Sequence, residues 1–90
     1  EIVSISLPNT ITKIGRNAFS GCENLVTINI SEGVKEIGNS AFKNCYSLKN
    51  IELPSTIEKI DTLAFYNCKS IKVFVLSQNL VNLLSSNVAI

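Results

Sequence analysis

The sequence predicts a solenoid, with a parallel β-sheet along one face, short second strands, and helical or 3₁₀ turns closing about four coils. Two observations predict it. Written in 23-residue lines from Ile2, the chain gives three full units, 2–24, 25–47 and 48–70, and a degenerate fourth, 71–90. Five columns are identical through the full units: Ile5/Ile28/Ile51, Ile14/Ile37/Ile60, Ala18/Ala41/Ala64, Phe19/Phe42/Phe65 and Cys22/Cys45/Cys68. The second observation is that three more columns stay aliphatic through all four lines: Ile2/Leu25/Leu48/Ile71, Leu7/Ile30/Leu53/Leu76 and Ile11/Val34/Ile57/Leu80. Residues that recur at one period share one environment, and eight apolar columns require that environment to be a core. The whole of 1–90 is expected to be one domain.

Each unit divides into elements in the same order. Leu25-Val26-Thr27-Ile28-Asn29-Ile30 alternates apolar and polar at its end, the pattern of a half-buried strand, and Leu48-Lys49-Asn50-Ile51-Glu52-Leu53 repeats it. Pro8 and Pro54 follow two of these strands; lacking an N–H, they end the ladder and begin a turn. A second short extended piece follows, Val34-Lys35-Glu36-Ile37 and its equivalents. Gly15 and Gly38 are expected to permit a tight bend, with Asp61 in that place in the third unit. The segment Asn17-Ala18-Phe19-Ser20-Gly21-Cys22 is too short for a stable α-helix and is expected to form one helical or 3₁₀ turn.

Coils stacked at the strand spacing of ~4.8 Å place each column in a ladder of like side chains. No single unit buries its apolar set alone, which is why such units occur in arrays. End units lose half their neighbours, so the chain is expected to be an excerpt of a longer coil or to pair at its ends. Self-association through the ends is one form of that pairing.

Composition removes several function classes. A net charge of +1, with like charges nowhere in blocks, gives no electrostatic reason to expect nucleic acid or an anionic membrane as partner. Apolar residues never run unbroken for the roughly 18 positions of a membrane span. Glu1-Ile2-Val3-Ser4 carries no basic region or signal core, so any targeting segment is expected outside the sequence. With no histidine, the usual general base and triad organiser are missing, and the four glycines have no phosphate-loop spacing. No catalytic residue, metal or cofactor is expected. Glu58 and Asp61 fall in a polar turn and are expected to be solvated.

Cys22, Cys45 and Cys68 lie one coil apart, within backbone reach of one another. Parallel side chains in a ladder are poorly oriented for bonding, however, and no CxxC pair provides a zinc site. They are expected to pack as small buried hydrophobes. The phenylalanine column, in phase with the alanines and cysteines, is expected in the core.

These residues resemble the BspA-type leucine-rich repeat. The resemblance is carried by Leu48…Ile51…Leu53-Pro54…Ile57…Ile60…Ala64-Phe65…Cys68 and by Ile37-Gly38-Asn39-Ser40-Ala41-Phe42-Lys43-Asn44-Cys45, and it spans about residues 2–76. Ser31 stands where proline is usual and Asp61 where glycine is, and the unit 71–90 is eroded. The resemblance implies a leucine-rich-repeat solenoid from a cell-surface or secreted protein, used in adhesion to host proteins or other cells. It brings no catalytic residues.

The surface left for a partner is the outward face of the sheet, where residues between the buried columns project in rows. One row is Ser6, Asn29, Glu52, Val75; the next is Ser4, Thr27, Asn50, Val73; a third is Val3, Val26, Lys49, Lys72. The candidate partner-binding residues are Ser4, Ser6, Thr27, Asn29, Lys49, Asn50, Glu52, Lys72, Val73 and Val75. Val73 and Val75 flank Phe74, so the last strand is expected to show a small apolar patch, covered by Leu80–Ile90 or by another chain. Asn29-Ile30-Ser31 is also a formal glycosylation sequon. The leading expectation is a protein-binding module acting through this face. A structural spacer and an intracellular interaction scaffold are the alternatives, the latter because unpaired cysteines suit a reducing compartment.

Overall fold

The computed structural model describes residues 3–71 and the backbone of 73–75. Seven strands follow in order: β1 (Val3–Ser6), β2 (Lys13–Ile14), β3 (Leu25–Asn29), β4 (Glu36–Ile37), β5 (Asn50–Glu52), β6 (Lys59–Ile60) and β7 (Val73–Val75). They make two parallel sheets, one ordered β1-β3-β5-β7 and the other β2-β4-β6. Ile5 pairs with Ile28, Ile28 with Ile51, and Ile14 with Ile37, so residues 23 apart stand side by side as the columns require. No helix occurs among the described residues.

One hydrophobic cluster joins both sheets and the corner that follows the second. In the second and third repeats Val34, Ile37, Ala41, Phe42, Cys45, Leu48, Ile57, Ile60, Ala64 and Phe65 are all sealed from solvent. Phe19 stacks on Phe42 and Phe42 on Phe65, each pair with ring centroids 5.4 Å apart and planes within 8° of parallel. That separation is close to the strand spacing of ~4.8 Å, so flat rings tile the stack without forcing the repeats apart. In the first repeat Val3, Ile5, Leu7, Ile11, Phe19 and Cys22 are only partly buried against the cluster, because just one neighbouring repeat covers them.

The corner differs from the expected helical turn. The N–H groups of Ala18, Ser20 and Cys22 bond to carbonyls three residues back, while those of Asn17, Phe19 and Gly21 donate to Asn39, Ala41 and Lys43 in the next repeat. The second repeat reproduces the pattern, with Phe42 donating to the Ala64 carbonyl at 2.8 Å and Asn44 to that of Tyr66 at 2.9 Å. Alternation of this kind needs left-handed residues, and two columns supply them. Asn17, Ser40 and Leu63 have φ of 59°, 58° and 64°, and Gly21, Asn44 and Asn67 have 77°, 63° and 66°. An α-helix about 10 Å across is wider than the strand spacing. A flat run of turns keeps pace with the sheets and also satisfies its backbone groups between repeats.

Gly38 has a different role from the expected one. Its φ is not positive; instead a Cβ there would lie 2.9 Å from backbone atoms of Ile14, Gly15 and Arg16 in the preceding repeat. The position calls for close approach between chains, not for a special turn. At Gly15, in the first repeat, a Cβ would meet nothing.

Side chains bind the repeats together as well. The Cys45 thiol donates to the Phe19 carbonyl at 3.1 Å, and the Asn67 amide to Asn44 Oδ1 at 3.1 Å. Thr56 Oγ1 donates to the Val34 carbonyl at 2.8 Å and accepts from the Gly33 N–H at 3.2 Å. The three cysteines are free thiols, as expected. Burial and the neighbouring thiol do not act equally on them: interaction with Cys68, followed by burial, pushes the Cys45 thiol far above the ordinary range.

Candidate functional site

The outward face of the larger sheet is built by strand alternation. In β1 and β5 the isoleucine turns inward, and its neighbours on either side, Ser4 and Ser6, or Asn50 and Glu52, stand in solvent. In β3 Ile28 is buried, Asn29 exposed and Thr27 half-buried. Two predicted rows are confirmed in register: Ser4 pairs with Thr27, Thr27 with Asn50 and Asn50 with Val73; Ser6 pairs with Asn29, Asn29 with Glu52 and Glu52 with Val75. The side chains of Val73 and Val75, all of Lys72, and the expected cover from Leu80–Ile90 lie outside the described residues.

The third row is broken at its start. Val3 pairs with Leu25, whereas Ser4 pairs with Thr27, so Val26 is an extra residue in a bulge. The cause is legible in the spacing. Leu25 and Ile28 are both buried although three residues apart, which an uninterrupted two-residue alternation does not allow. Beyond the bulge the backbone regains its partner, with the Lys49 N–H donating to the Val26 carbonyl at 2.9 Å, and the Lys49 side chain is exposed.

Two concavities mark the face. One of about 240 Å³ is lined by Thr27, Ile28, Asn29, Asn50 and Glu52. A larger cleft of about 630 Å³ opens where the strands end, and there Asn29 and Glu52 are joined by Asn9, Ser31, Glu32 and Ser55 over an apolar floor that includes Leu53 and Pro54. Those four polar residues were not among the sequence candidates. They occupy the two columns after the strand, Pro8/Ser31/Pro54 and Asn9/Glu32/Ser55, and their variation from repeat to repeat was the available signal. The Ser31 hydroxyl donates to the Pro8 carbonyl at 3.0 Å and so fixes the cleft wall across two repeats.

The chemistry of this face is hydrogen bonding and charge, with Glu32 and Glu52 at the end of the strands and Lys49 before β5. Elsewhere Asp61 pairs with Lys59 at 3.6 Å and Lys13 with Glu36 at 3.5 Å, both across exposed surface. Glu58 is exposed, as expected of a polar turn. Among the described residues no group of three or more His, Cys, Asp or Glu is placed to hold a metal ion. No helix there is long and apolar enough to cross a membrane.

Comparison with known proteins places this geometry in a family. The model described as "BspA type Leucine rich repeat region (6 copies)" matches residues 1–88. No curated protein and no solved structure gives a significant match. With nearly the whole chain matched, and with parallel strands paired one repeat apart, the chain belongs to the BspA-type leucine-rich-repeat family.

Proposed function

We propose that this chain is a leucine-rich-repeat solenoid of about four coils that binds a protein partner along the outward face of its larger sheet. It forms one domain of repeats 2–24, 25–47 and 48–70 with a degenerate unit at 71–90. The partner is a host or cell-surface protein, and the setting is adhesion by a surface or secreted protein. Family membership supports protein interaction in general; adhesion and the surface location rest on the family's resemblance to surface proteins.

One observation carries the reading. Ser4, Thr27 and Asn50, and likewise Ser6, Asn29 and Glu52, hold fixed register on a frame of near-identical buried columns while their own chemistry changes. A frame that repeats and a face that does not suit recognition by an extended surface. The glutamates at the strand ends favour a partner with basic groups at that place.

The test is capture of the chain by immobilised extracellular-matrix and cell-surface proteins, with the Asn29→Lys/Glu52→Lys double variant alongside. Capture of the native chain and its loss in the variant support the reading. Equal capture of both rules out the sheet face. One observation favours an intracellular scaffold as second reading: Cys45 and Cys68 are thiols donating to backbone carbonyls, a state that a reducing compartment preserves. Locating the protein in intact cells with an antibody decides between them.

A further inference from the structure

A second surface lies away from the sheet face, on the corner that carries the phenylalanine and cysteine columns. Two columns there, three residues apart, are Ser20/Lys43/Tyr66 and Glu23/Tyr46/Lys69. Tyr46 and Tyr66, 39% and 47% exposed, are the large apolar side chains that stand in solvent among the described residues. Each takes a lysine from the repeat beside it. Lys43 Nζ lies 5.8 Å from the Tyr66 ring centroid, and Lys69 Nζ lies 5.9 Å from that of Tyr46. The order of lysine and tyrosine is opposite in the two columns, so in the aligned second and third repeats the two cation–π pairs make a two-by-two checkerboard of residue types. Glu23, below Tyr46 in the first repeat, is the acidic residue of these columns.

The corner backbone is already spent on the stack. Phe42 and Asn44 donate to the next repeat, and Lys43 and Cys45 to carbonyls within their own. An extended peptide therefore finds no open row of N–H and C=O groups here on which to add as a strand. What the surface offers is carbon-rich ring surface and ammonium groups, held at a spacing set by the repeat.

We propose that this checkerboard binds an anionic polysaccharide, one whose sugar rings carry carboxylate or sulfate groups. The C–H face of a pyranose packs on the exposed part of the tyrosine rings, and Lys43 and Lys69 meet the acidic groups. The cation–π contacts hold each lysine beside a ring before the ligand arrives, which reduces the ordering that binding requires. A polymer fits better than a small molecule, because the tyrosine and lysine pairs recur at the spacing of the repeat, as the sugar units of a chain do. This surface acts independently of the protein-binding face.

Titration of the chain with heparin, polygalacturonate, neutral dextran and polyglutamate, followed by calorimetry, tests the assignment. Binding of heparin or polygalacturonate, weakened by added salt and accompanied by none to dextran or polyglutamate, is the expected result. Tyr46→Ala/Tyr66→Ala should weaken it by roughly tenfold or more, as should Lys43→Gln/Lys69→Gln, while Tyr46→Phe/Tyr66→Phe should retain it. Thermal melting of each variant shows that the fold is intact. Failure to bind either acidic polysaccharide, unaltered binding by the Tyr→Ala pair, or equal binding of polyglutamate would each overturn the proposal, the last by assigning the surface to acidic protein.

Discussion

The Cys68 thiol donates a hydrogen bond to the Phe42 carbonyl, 2.9 Å away in the preceding repeat, and that same carbonyl accepts the Cys45 N–H at 3.2 Å. The Phe19 carbonyl is shared in the same way, by the Cys22 N–H and the Cys45 thiol. The cysteine column is thus more than small hydrophobic filling. The buried Cys45 thiol and the half-buried Cys68 thiol each reach back one repeat to a carbonyl whose second lone pair would otherwise stay unused.

Cys45→Ala and Cys68→Ala should each lower stability by about 1–3 kcal/mol, from a lost donor and a small cavity in a packed region. Urea unfolding followed by circular dichroism measures this. A loss below about 0.5 kcal/mol for the fully buried Cys45 would mean that the thiol is incidental.

Stability should also depend on alkaline pH. The Cys45 thiol is raised above its ordinary value of 9.0, chiefly by its interaction with Cys68 and then by burial. The folded state therefore favours the protonated thiol more than the unfolded state does. This contribution is complete below about pH 9 and declines as pH rises beyond it, once the unfolded thiol ionises while the folded one still holds its proton. The same interaction lowers the Cys68 thiol and so acts in the opposite sense. The effect is therefore isolated in Cys68→Ala, where burial alone raises Cys45. The urea midpoint of that variant should fall between pH 8 and pH 10 by more than that of Cys45→Ala/Cys68→Ala. Parallel curves for the two proteins would remove the effect.

The glycine column gives a paired prediction. Gly38→Ala puts a methyl group 2.9 Å from backbone of the preceding repeat and should cost about 1–3 kcal/mol. Gly15→Ala meets open space at an ordinary φ and should be neutral or stabilising by up to about 1 kcal/mol. Thermal melting of the two variants gives the comparison directly, and equal effects would contradict close approach as the reason for glycine.

Leu63 holds φ of 64°, where asparagine stands two repeats earlier in the same column at Asn17. A leucine there carries a left-handed penalty of about 1–2 kcal/mol. Leu63→Asn should raise the urea midpoint, with a gain in stability of about 0.5–1 kcal/mol after some loss of apolar burial. A drop in the midpoint would show that the half-buried leucine packs for more than its backbone costs.

Much of this was legible in the residues because burial repeats. Ile28 and Ile51, Phe42 and Phe65, and Ala41 and Ala64 sit where identical columns put them, and the two polar rows fell into register once the strand columns were aligned. The corner was harder to read. Its left-handed positions are filled by Asn17, Ser40 and Leu63, which share no obvious chemistry, since a leucine can be held there by its neighbours against its own preference. Gly21, Asn44 and Asn67 were the better clue, as all three tolerate that conformation. The bulge at Val26 was encoded in the three-residue step from Leu25 to Ile28, though an alternating pattern read only at the strand's end passes over it. The tyrosine–lysine contacts lay wholly outside the apolar columns, and only the stacking of repeats brings those residues together.

The most direct test of the whole account is a nuclear Overhauser measurement between ring protons of Phe42 and Phe65. Rings stacked with centroids 5.4 Å apart should give strong cross-peaks, with matching peaks from Phe19 to Phe42. Cross-peaks absent from a folded, dispersed spectrum would show that side chains 23 residues apart do not touch, and both binding surfaces would lose the frame on which they stand.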